Sequence, residues 1–118
     1  MKESSRNNTV YKLRLSSEAF DVILEAIHIL SARNQRFESL ATVILAATQF
    51  ESNTLPKALA DLAVLLPVEG DIKVFLRLTT ERQKTFERFR SVLNDVGTTT
   101  LGVREAVMAC ALLIAPRD

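Results

Sequence analysis

The chain of 118 residues has a single cysteine, Cys110, and a single histidine, His28. One cysteine cannot form an internal disulfide, which suits a reducing compartment. The longest apolar run, from Ala106 to Ala115, has about half the length that a membrane-spanning helix needs. Residues 1–8 are polar and show no secretory leader. We therefore expect a soluble, cytoplasmic protein that has no membrane partner.

The residue patterns that support enzyme chemistry are also missing from the sequence. It contains no cluster of metal ligands, no glycine-rich phosphate-binding loop and no serine–histidine–aspartate set. His28 falls on the polar face of a predicted helix, and Cys110 lies in an apolar segment as a small core residue. We expect neither an enzyme nor a bound cofactor or metal.

The total charge favours no class of function. The net charge is +1, whereas a nucleic-acid-binding domain of this size is often more basic. Apolar residues make up 47% of the chain, which argues against global disorder and predicts a packed core. The function must therefore be inferred from where the charges lie along the chain.

The most informative feature is a short segment that occurs twice. Residues 9–18 read TVYKLRLSSE and residues 72–81 read IKVFLRLTTE. Superposing Leu13-Arg14-Leu15 on Leu76-Arg77-Leu78 gives an offset of 63 residues, and the same offset aligns core-like positions further along the chain. The sequence therefore predicts one strand–helix–helix unit written twice.

Each unit begins with alternating apolar and polar residues, which predicts strands over 10–15 and 72–78. The hydroxyl residues that follow, Ser16 or Ser17 and Thr79 or Thr80, are suitable helix N-caps. The second helix of each unit, predicted over 37–50 and 101–115, is apolar nearly all round and should be buried. The predicted parts of one domain (1–118) are a flexible tail (1–8), a first unit (9–50), a helical linker (51–70) and a second unit (71–116).

Two further predictions concern turns and packing. Asn34 and Gly97 lie between the helices of their units, where either can adopt a left-handed conformation. The first helix of unit one carries more apolar residues than its counterpart in unit two. We expect the linker helix to cover this surplus through Leu59, Leu62 and Leu66, and a partner protein is the alternative.

The order of strand, helix, turn and buried second helix resembles the ribbon-helix-helix fold of MetJ- and Arc-like DNA-binding proteins. In that family two protomers pair their strands into an antiparallel ribbon that enters the DNA major groove. Two copies of Leu-Arg-Leu-Ser/Thr-Ser/Thr-Glu in one chain depart from the pattern, because most members dimerise from separate chains. The resemblance implies an α+β, mostly α fold: a monomeric tandem pseudo-dimer with one two-stranded antiparallel ribbon, four main helices and a linker helix.

An isolated two-stranded ribbon is not stable, so its leucine face should pack on the helices and its basic face should point outward. A two-stranded ribbon fits the major groove, and Phe75 could there contact a thymine methyl group. The alternative is that the basic residues only keep the strands soluble and block edge pairing. The residues predicted to contact DNA are Lys12, Arg14, Lys73, Phe75 and Arg77.

The starts of the second helices are another candidate contact, because free backbone amides at a helix N-terminus bind phosphate. Ordinary N-capping is the alternative explanation for the polar residues at these positions. The residues predicted to contact phosphate are Gln35, Arg36, Thr98, Thr99 and Thr100.

The resemblance implies a protein that binds double-stranded DNA, as an accessory in plasmid DNA processing or in T-DNA or conjugative transfer. A transcriptional repressor of the same fold and a protein-interaction module that uses an apolar helix face are the alternatives. Other DNA-processing proteins are candidate partners. Because the outward residues of the two strands differ, we expect a non-palindromic site, with unit two contributing more base discrimination.

Overall fold

A computed structural model of the chain describes residues 8–97 and 99–117. The fold is α+β and mostly α, as predicted, with a linker helix between two β-α-α units. The first strand begins at Asn8, one residue inside the predicted tail. In chain order the elements are β1 (Asn8–Leu15), α1 (Ser17–Asn34), α2 (Leu40–Ala47), a short 3-10 helix (Ser52–Thr54), α3 (Leu55–Leu65), β2 (Ile72–Thr79), α4 (Thr80–Val96) and α5 (Val103–Ile114).

Strands β1 and β2 pair antiparallel within the chain, as predicted, and form the two-stranded sheet that we call the ribbon. The register places Lys12 opposite Phe75. The repeat offset of 63 residues also makes Phe75 the equivalent of Lys12. This pair therefore lies at the centre of the pseudo-two-fold relation between the units, and the register is the one that a symmetric pair of units requires.

The inner face of the ribbon is part of the core. Leu13, Leu15, Leu76 and Leu78 are each at most 4% exposed. Side chains alternate between the two faces of a strand, so burying these leucines turns the intervening residues to solvent. Packing of the leucines thus fixes which residues the ribbon presents outward.

The end of the linker is hydrogen-bonded to the end of β1. The backbone N–H of Ser16 donates to the Val68 carbonyl at 2.7 Å, and the N–H of Gly70 donates to the Arg14 carbonyl at 3.3 Å. A Cβ atom at Gly70 would lie 2.5 Å from the carbonyl oxygen of Leu15. Only glycine allows the two backbones to come this close, and the contact directs the chain into β2.

The first helices of the two units have equivalent N-caps. The Ser16 hydroxyl accepts a hydrogen bond from the N–H of Ala19 at 3.1 Å, and the Thr79 hydroxyl accepts one from Arg82 at 3.3 Å. Ser16 and Thr79 are related by the 63-residue offset. Each cap is therefore one of the two candidates that the sequence offered at its helix, because a cap depends on residues that are close in sequence.

The turns between the helices are held by equivalent hydrogen bonds. The Ser31 hydroxyl accepts from the N–H of Glu38 at 2.9 Å, and the Asn94 side-chain oxygen accepts from the N–H of Leu101 at 2.7 Å. Both bonds span seven residues, and the 63-residue offset relates them. The repeat is thus present in the hydrogen bonding as well as in the sequence.

The residues predicted to be left-handed in these turns are not. Asn34 is the last residue of α1, and Gln35 takes the left-handed conformation with φ 55° and ψ 45°. Gly97 has a φ of −87° and is extended. A Cβ atom at Gly97 would lie 3.3 Å from the Leu59 side chain, so close packing of α3 favours glycine there.

Helix α2 is shorter than predicted. It begins at Leu40, because Ser39 and Thr42 form a capping box: the Ser39 hydroxyl accepts from the N–H of Thr42 at 3.3 Å, and the Thr42 hydroxyl accepts from the N–H of Ser39 at 2.8 Å. Phe37, the predicted first residue, lies outside the helix and is fully exposed. The prediction followed the apolar pattern and missed the cap inside it.

Helix α5 is the centre of the core. Every residue from Ala106 to Ile114 is buried, and the helix packs against α1, α2 and α3. Cys110 is buried as predicted, and desolvation raises its pKa to about 12. An apolar helix surrounded by other helices accounts for the continuous run of small and aliphatic residues.

The predicted packing of the linker helix is wrong. Helix α3 packs mainly on α5, and Leu55, Ala58 and Leu62 are its buried residues. Leu66, predicted to cover α1, is 48% exposed. The cover for α1 comes instead from α5 and α2, because α5 occupies the space beside α1.

Replacing Leu62 by alanine should lower the free energy of unfolding by about 2–5 kcal/mol, because a buried side chain is removed and a cavity is left. Val64 lies on the exposed side of the same helix, so Val64→Ala should change the free energy by less than about 0.5 kcal/mol. Urea titrations of both variants measure the difference. Equal stability of the two variants would contradict the packing of α3.

Candidate nucleic-acid interface

The outward face of the ribbon is defined by the exposed residues of β1 and β2. It carries four positive charges and no negative one, although the net charge of the chain is only +1. Within residues 8–97 and 99–117, none of the four basic side chains forms an ion pair or a hydrogen bond. The face consists of Asn8, Val10, Lys12, Arg14, Lys73, Phe75, Arg77 and Thr79.

Two of these basic residues oppose each other directly. Arg14 pairs with Lys73 across the strands. Like charges at directly opposed positions destabilise a sheet, and no acidic side chain of the described chain forms an ion pair with either residue. Solubility and edge protection do not require two cations to be opposed in this way. A bound polyanion would relieve the repulsion.

Phe75 is the aromatic residue of the outward face. It is 62% exposed, with Lys73 and Arg77 as its neighbours on the same face of β2 and Lys12 opposite it on β1. Val10 is the other apolar residue of the face and is opposed by Arg77. The structure therefore brings all five predicted DNA-contacting residues onto one exposed surface.

A partly buried polar network supports the ribbon from below. The Tyr11 hydroxyl donates to the Glu87 carboxylate at 3.3 Å, and the Tyr11 ring packs edge-on against Phe86 with 6.1 Å between centroids. Two guanidinium nitrogens of Arg90 donate to the same carboxylate at 3.0 and 2.7 Å, and a third donates to the Leu101 carbonyl at 3.0 Å. The network joins β1 and α4 to the segment that precedes α5.

This network sets the start of α5 beside the ribbon. A cleft of about 310 Å³ lies between β1 and the start of α5, with Lys12 on one side and Arg104 on the other. The sequence did not point to Arg104, because its equivalent in unit one is Ala41 and only tertiary packing brings it to the ribbon. The Arg104 Nε lies 3.4 Å from a carboxylate oxygen of Glu105. The cleft is lined by Tyr11, Lys12, Leu13, Gly102, Val103, Arg104 and Glu105.

Two of the threonines predicted to contact phosphate do not line this cleft. Thr99 and Thr100 are exposed and line a groove of about 250 Å³ against α3. The N-cap of α5 is Gly102, which makes no side-chain capping bond, so the threonines do not cap this helix. Thr98 lies outside the described residues. Phosphate contact by these threonines stays a prediction.

In unit one, Gln35 and Arg36 make local hydrogen bonds. The Gln35 side chain donates to the Ala32 carbonyl at 2.6 Å, and the Arg36 Nε donates to the Glu38 carboxylate at 2.9 Å. Hydrogen bonds from Asn34 and Arg36 lower the pKa of Glu38, so this carboxylate is ionised just before α2. A negative charge there opposes phosphate, although the Arg36 side chain is largely exposed.

Other kinds of site find little support in the described part of the chain. No group of three or more histidine, cysteine, aspartate or glutamate residues is arranged to hold a metal ion there. No described helix is both long enough and apolar enough to cross a membrane. His28 is exposed on α1.

No protein-family model matches the chain, and no match was found among curated proteins or solved structures. The class of fold therefore depends on topology. Two β-α-α units that share one two-stranded antiparallel sheet are consistent with a tandem ribbon-helix-helix fold.

Replacing Lys73 by glutamate should stabilise the free protein by about 0.2–1 kcal/mol, because an opposite charge then faces Arg14. Thermal unfolding of parent and variant at low salt measures this gain. Near 1 M salt the Debye length falls to about 3 Å and the gain should largely vanish. A loss of stability at low salt would show that the Arg14–Lys73 pair is not repulsive.

Proposed function

We propose that this chain binds double-stranded DNA by placing the outward face of its ribbon in the major groove. The observation that carries the proposal is the concentration of four basic side chains, without internal partners among the described residues, around one exposed aromatic ring. Most of the affinity of such a surface would come from the DNA phosphates, and selectivity from contacts with base edges.

The dimensions of the ribbon support this mode of binding. The major groove is about 12 Å wide and accepts a two-stranded ribbon. Arg14 and Arg77 are equivalent in the repeat and lie two residues from the central Lys12–Phe75 pair, in opposite directions along the ribbon. At about 3.4 Å per residue their backbones are about 14 Å apart. A guanidinium group matches O6 and N7 of guanine, so each arginine is suited to one guanine.

The groups beside the ribbon are suited to the DNA backbone. Lys12 and Arg104 line the cleft next to the start of α5, and an ammonium or guanidinium group there would meet phosphate oxygens. Arg36 has an exposed side chain near the start of α2. These contacts would set the position of the ribbon in the groove without reading the sequence.

The biological role that we propose is an accessory in plasmid DNA processing. A tandem of two ribbon-helix-helix units in one chain resembles the second protein of the VirC operon, which assists T-DNA transfer by binding near the transferred border. Conjugative or T-DNA transfer is the process that this resemblance favours. Transcriptional repression would use the same DNA contacts and is the alternative role.

A protein-interaction module is the second candidate function, and two features of α1 and α3 favour it. Leu24 on α1 is 49% exposed. A cleft of about 630 Å³ between α1 and α3 is lined by Val64 and Leu65 together with the carboxylates of Glu18 and Asp21. A module of this kind would bind its partner through these helices and leave the ribbon free.

Titration of fluorescent duplex DNA at two salt concentrations tests the DNA proposal. Arg77→Ala should cost about 1–3 kcal/mol of binding and relax selectivity at one base pair, because one base contact is lost. Lys73→Ala should weaken binding to all DNA sequences about equally. It should also reduce the salt dependence of the affinity by the amount expected for about one phosphate contact. Arg88 is exposed on α4 and belongs to neither ribbon strand, so Arg88→Ala is the charge-matched control and should bind like the parent.

Two outcomes would contradict the proposal. Binding that is absent, or that does not weaken with salt, would favour the interaction module. Unchanged affinity and selectivity in both Arg14→Ala and Arg77→Ala would exclude the ribbon as the surface that reads the bases.

A further inference from the structure

The two strands differ at the centre of the ribbon. A two-chain ribbon would carry identical residues at its centre, whereas here Lys12 opposes Phe75. Each strand also has an arginine two residues beyond its central residue: Arg14 follows Lys12, and Arg77 follows Phe75. The outward face therefore combines a symmetric pair of arginines with an asymmetric central pair and with a second asymmetric position, Val10, whose repeat equivalent is Lys73.

We infer that Phe75 recognises a thymine methyl group at the centre of a non-palindromic DNA site, and that this contact gives the bound chain its direction on the duplex. The inference rests on the proposed DNA binding and identifies Phe75 as a residue that distinguishes between bases. A thymine methyl group is the apolar feature that the major groove offers to an aromatic side chain. At the equivalent position of unit one, Lys12 ends in a charged ammonium group, so it offers a thymine methyl group less apolar contact than the Phe75 ring does.

The surroundings of Phe75 favour DNA over a protein as the source of the apolar contact. Its ring is 62% exposed and lies among Lys12, Lys73 and Arg77. A partner that covers the ring must also accept these three positive charges. The major groove offers methyl groups between two rows of phosphates and satisfies both requirements.

The geometry specifies the form of the recognised sequence. Arg14 and Arg77 are related by the pseudo-two-fold axis, so their guanines should lie on opposite strands. Backbones about 14 Å apart along the ribbon correspond to about four base-pair steps of about 3.4 Å. The thymine read by Phe75 should lie between these guanines on one strand only.

Selection of bound sequences from a random duplex pool, with the whole chain, gives the first test. The parent should select two outer guanines related by symmetry and a central thymine without a symmetry mate. Lys12→Phe places a phenylalanine at both central positions and should add a second thymine related to the first by the two-fold axis. Position 12 is exposed, so thermal unfolding should show that Lys12→Phe is folded like the parent.

Deoxyuridine gives the second test, because it differs from thymidine only by the missing methyl group. Replacing the selected thymine by deoxyuridine should weaken binding of the parent about fourfold, which corresponds to about 0.8 kcal/mol for one buried carbon group. Phe75→Ala should bind the two duplexes equally well. For each protein the affinity for the thymidine duplex is divided by the affinity for the deoxyuridine duplex. The difference between this ratio in the parent and in Phe75→Ala isolates the contact between Phe75 and the methyl group.

The outcomes separate this inference from the proposed function. A palindromic motif from the parent, or equal sensitivity to deoxyuridine in parent and Phe75→Ala, would overturn the role of Phe75 while DNA binding stands. A parent chain that binds no duplex at either salt concentration would overturn both. A directional motif with the expected loss on deoxyuridine, abolished in Phe75→Ala, supports the inference.

Discussion

Burial of the leucine face of the ribbon is the interaction on which the rest of the structure depends. Two strands alone are not stable, so β1 and β2 must cover their apolar side with helices. Once Leu13, Leu15, Leu76 and Leu78 are buried, the alternation of a strand leaves the basic residues no position except the outward face. A slip of one residue in register would bury the arginines and expose the leucines, and this cost holds the register.

The two units share an architecture and differ in their surfaces. The N-caps of their first helices are equivalent, and so is one hydrogen bond across each inter-helix turn. The network of Tyr11, Glu87 and Arg90 has no polar counterpart, because the offset places Val74, Leu24 and Ile27 at the equivalent positions. Unit two therefore positions its second helix through hydrogen bonds, whereas unit one is apolar there and leaves Leu24 half-exposed. A covalent tandem permits this divergence, because each half needs to fit only the other.

The sequence was sufficient for the alternating strands and for the candidate caps that include Ser16 and Thr79, because these depend on residues that are near one another along the chain. The repeat added the pairing of the strands. Nearby residues were not sufficient for the turns, where the left-handed conformation falls on Gln35 and not on Asn34 or Gly97. The sequence did not show which distant elements pack together. Helix α5 occupies the space beside α1 that α3 was expected to fill, and the hydrogen bonds of Arg90 hold the start of α5, with Arg104, beside the ribbon. The start of α2 was missed for a different reason, because the Ser39 cap lies inside an apolar pattern that continues on both sides of it.

Contact between the outward face of the ribbon and DNA underlies both the proposed function and the role of Phe75. Titration of the isotopically labelled chain with a short duplex, followed by the chemical shifts of its backbone amides, locates the contact surface. We expect the largest shifts in residues 10–14 and 73–77, with smaller ones at the start of α5, and we expect them to diminish as salt is added. Shifts confined to α1 and α3, with the ribbon unchanged, would contradict contact through the ribbon.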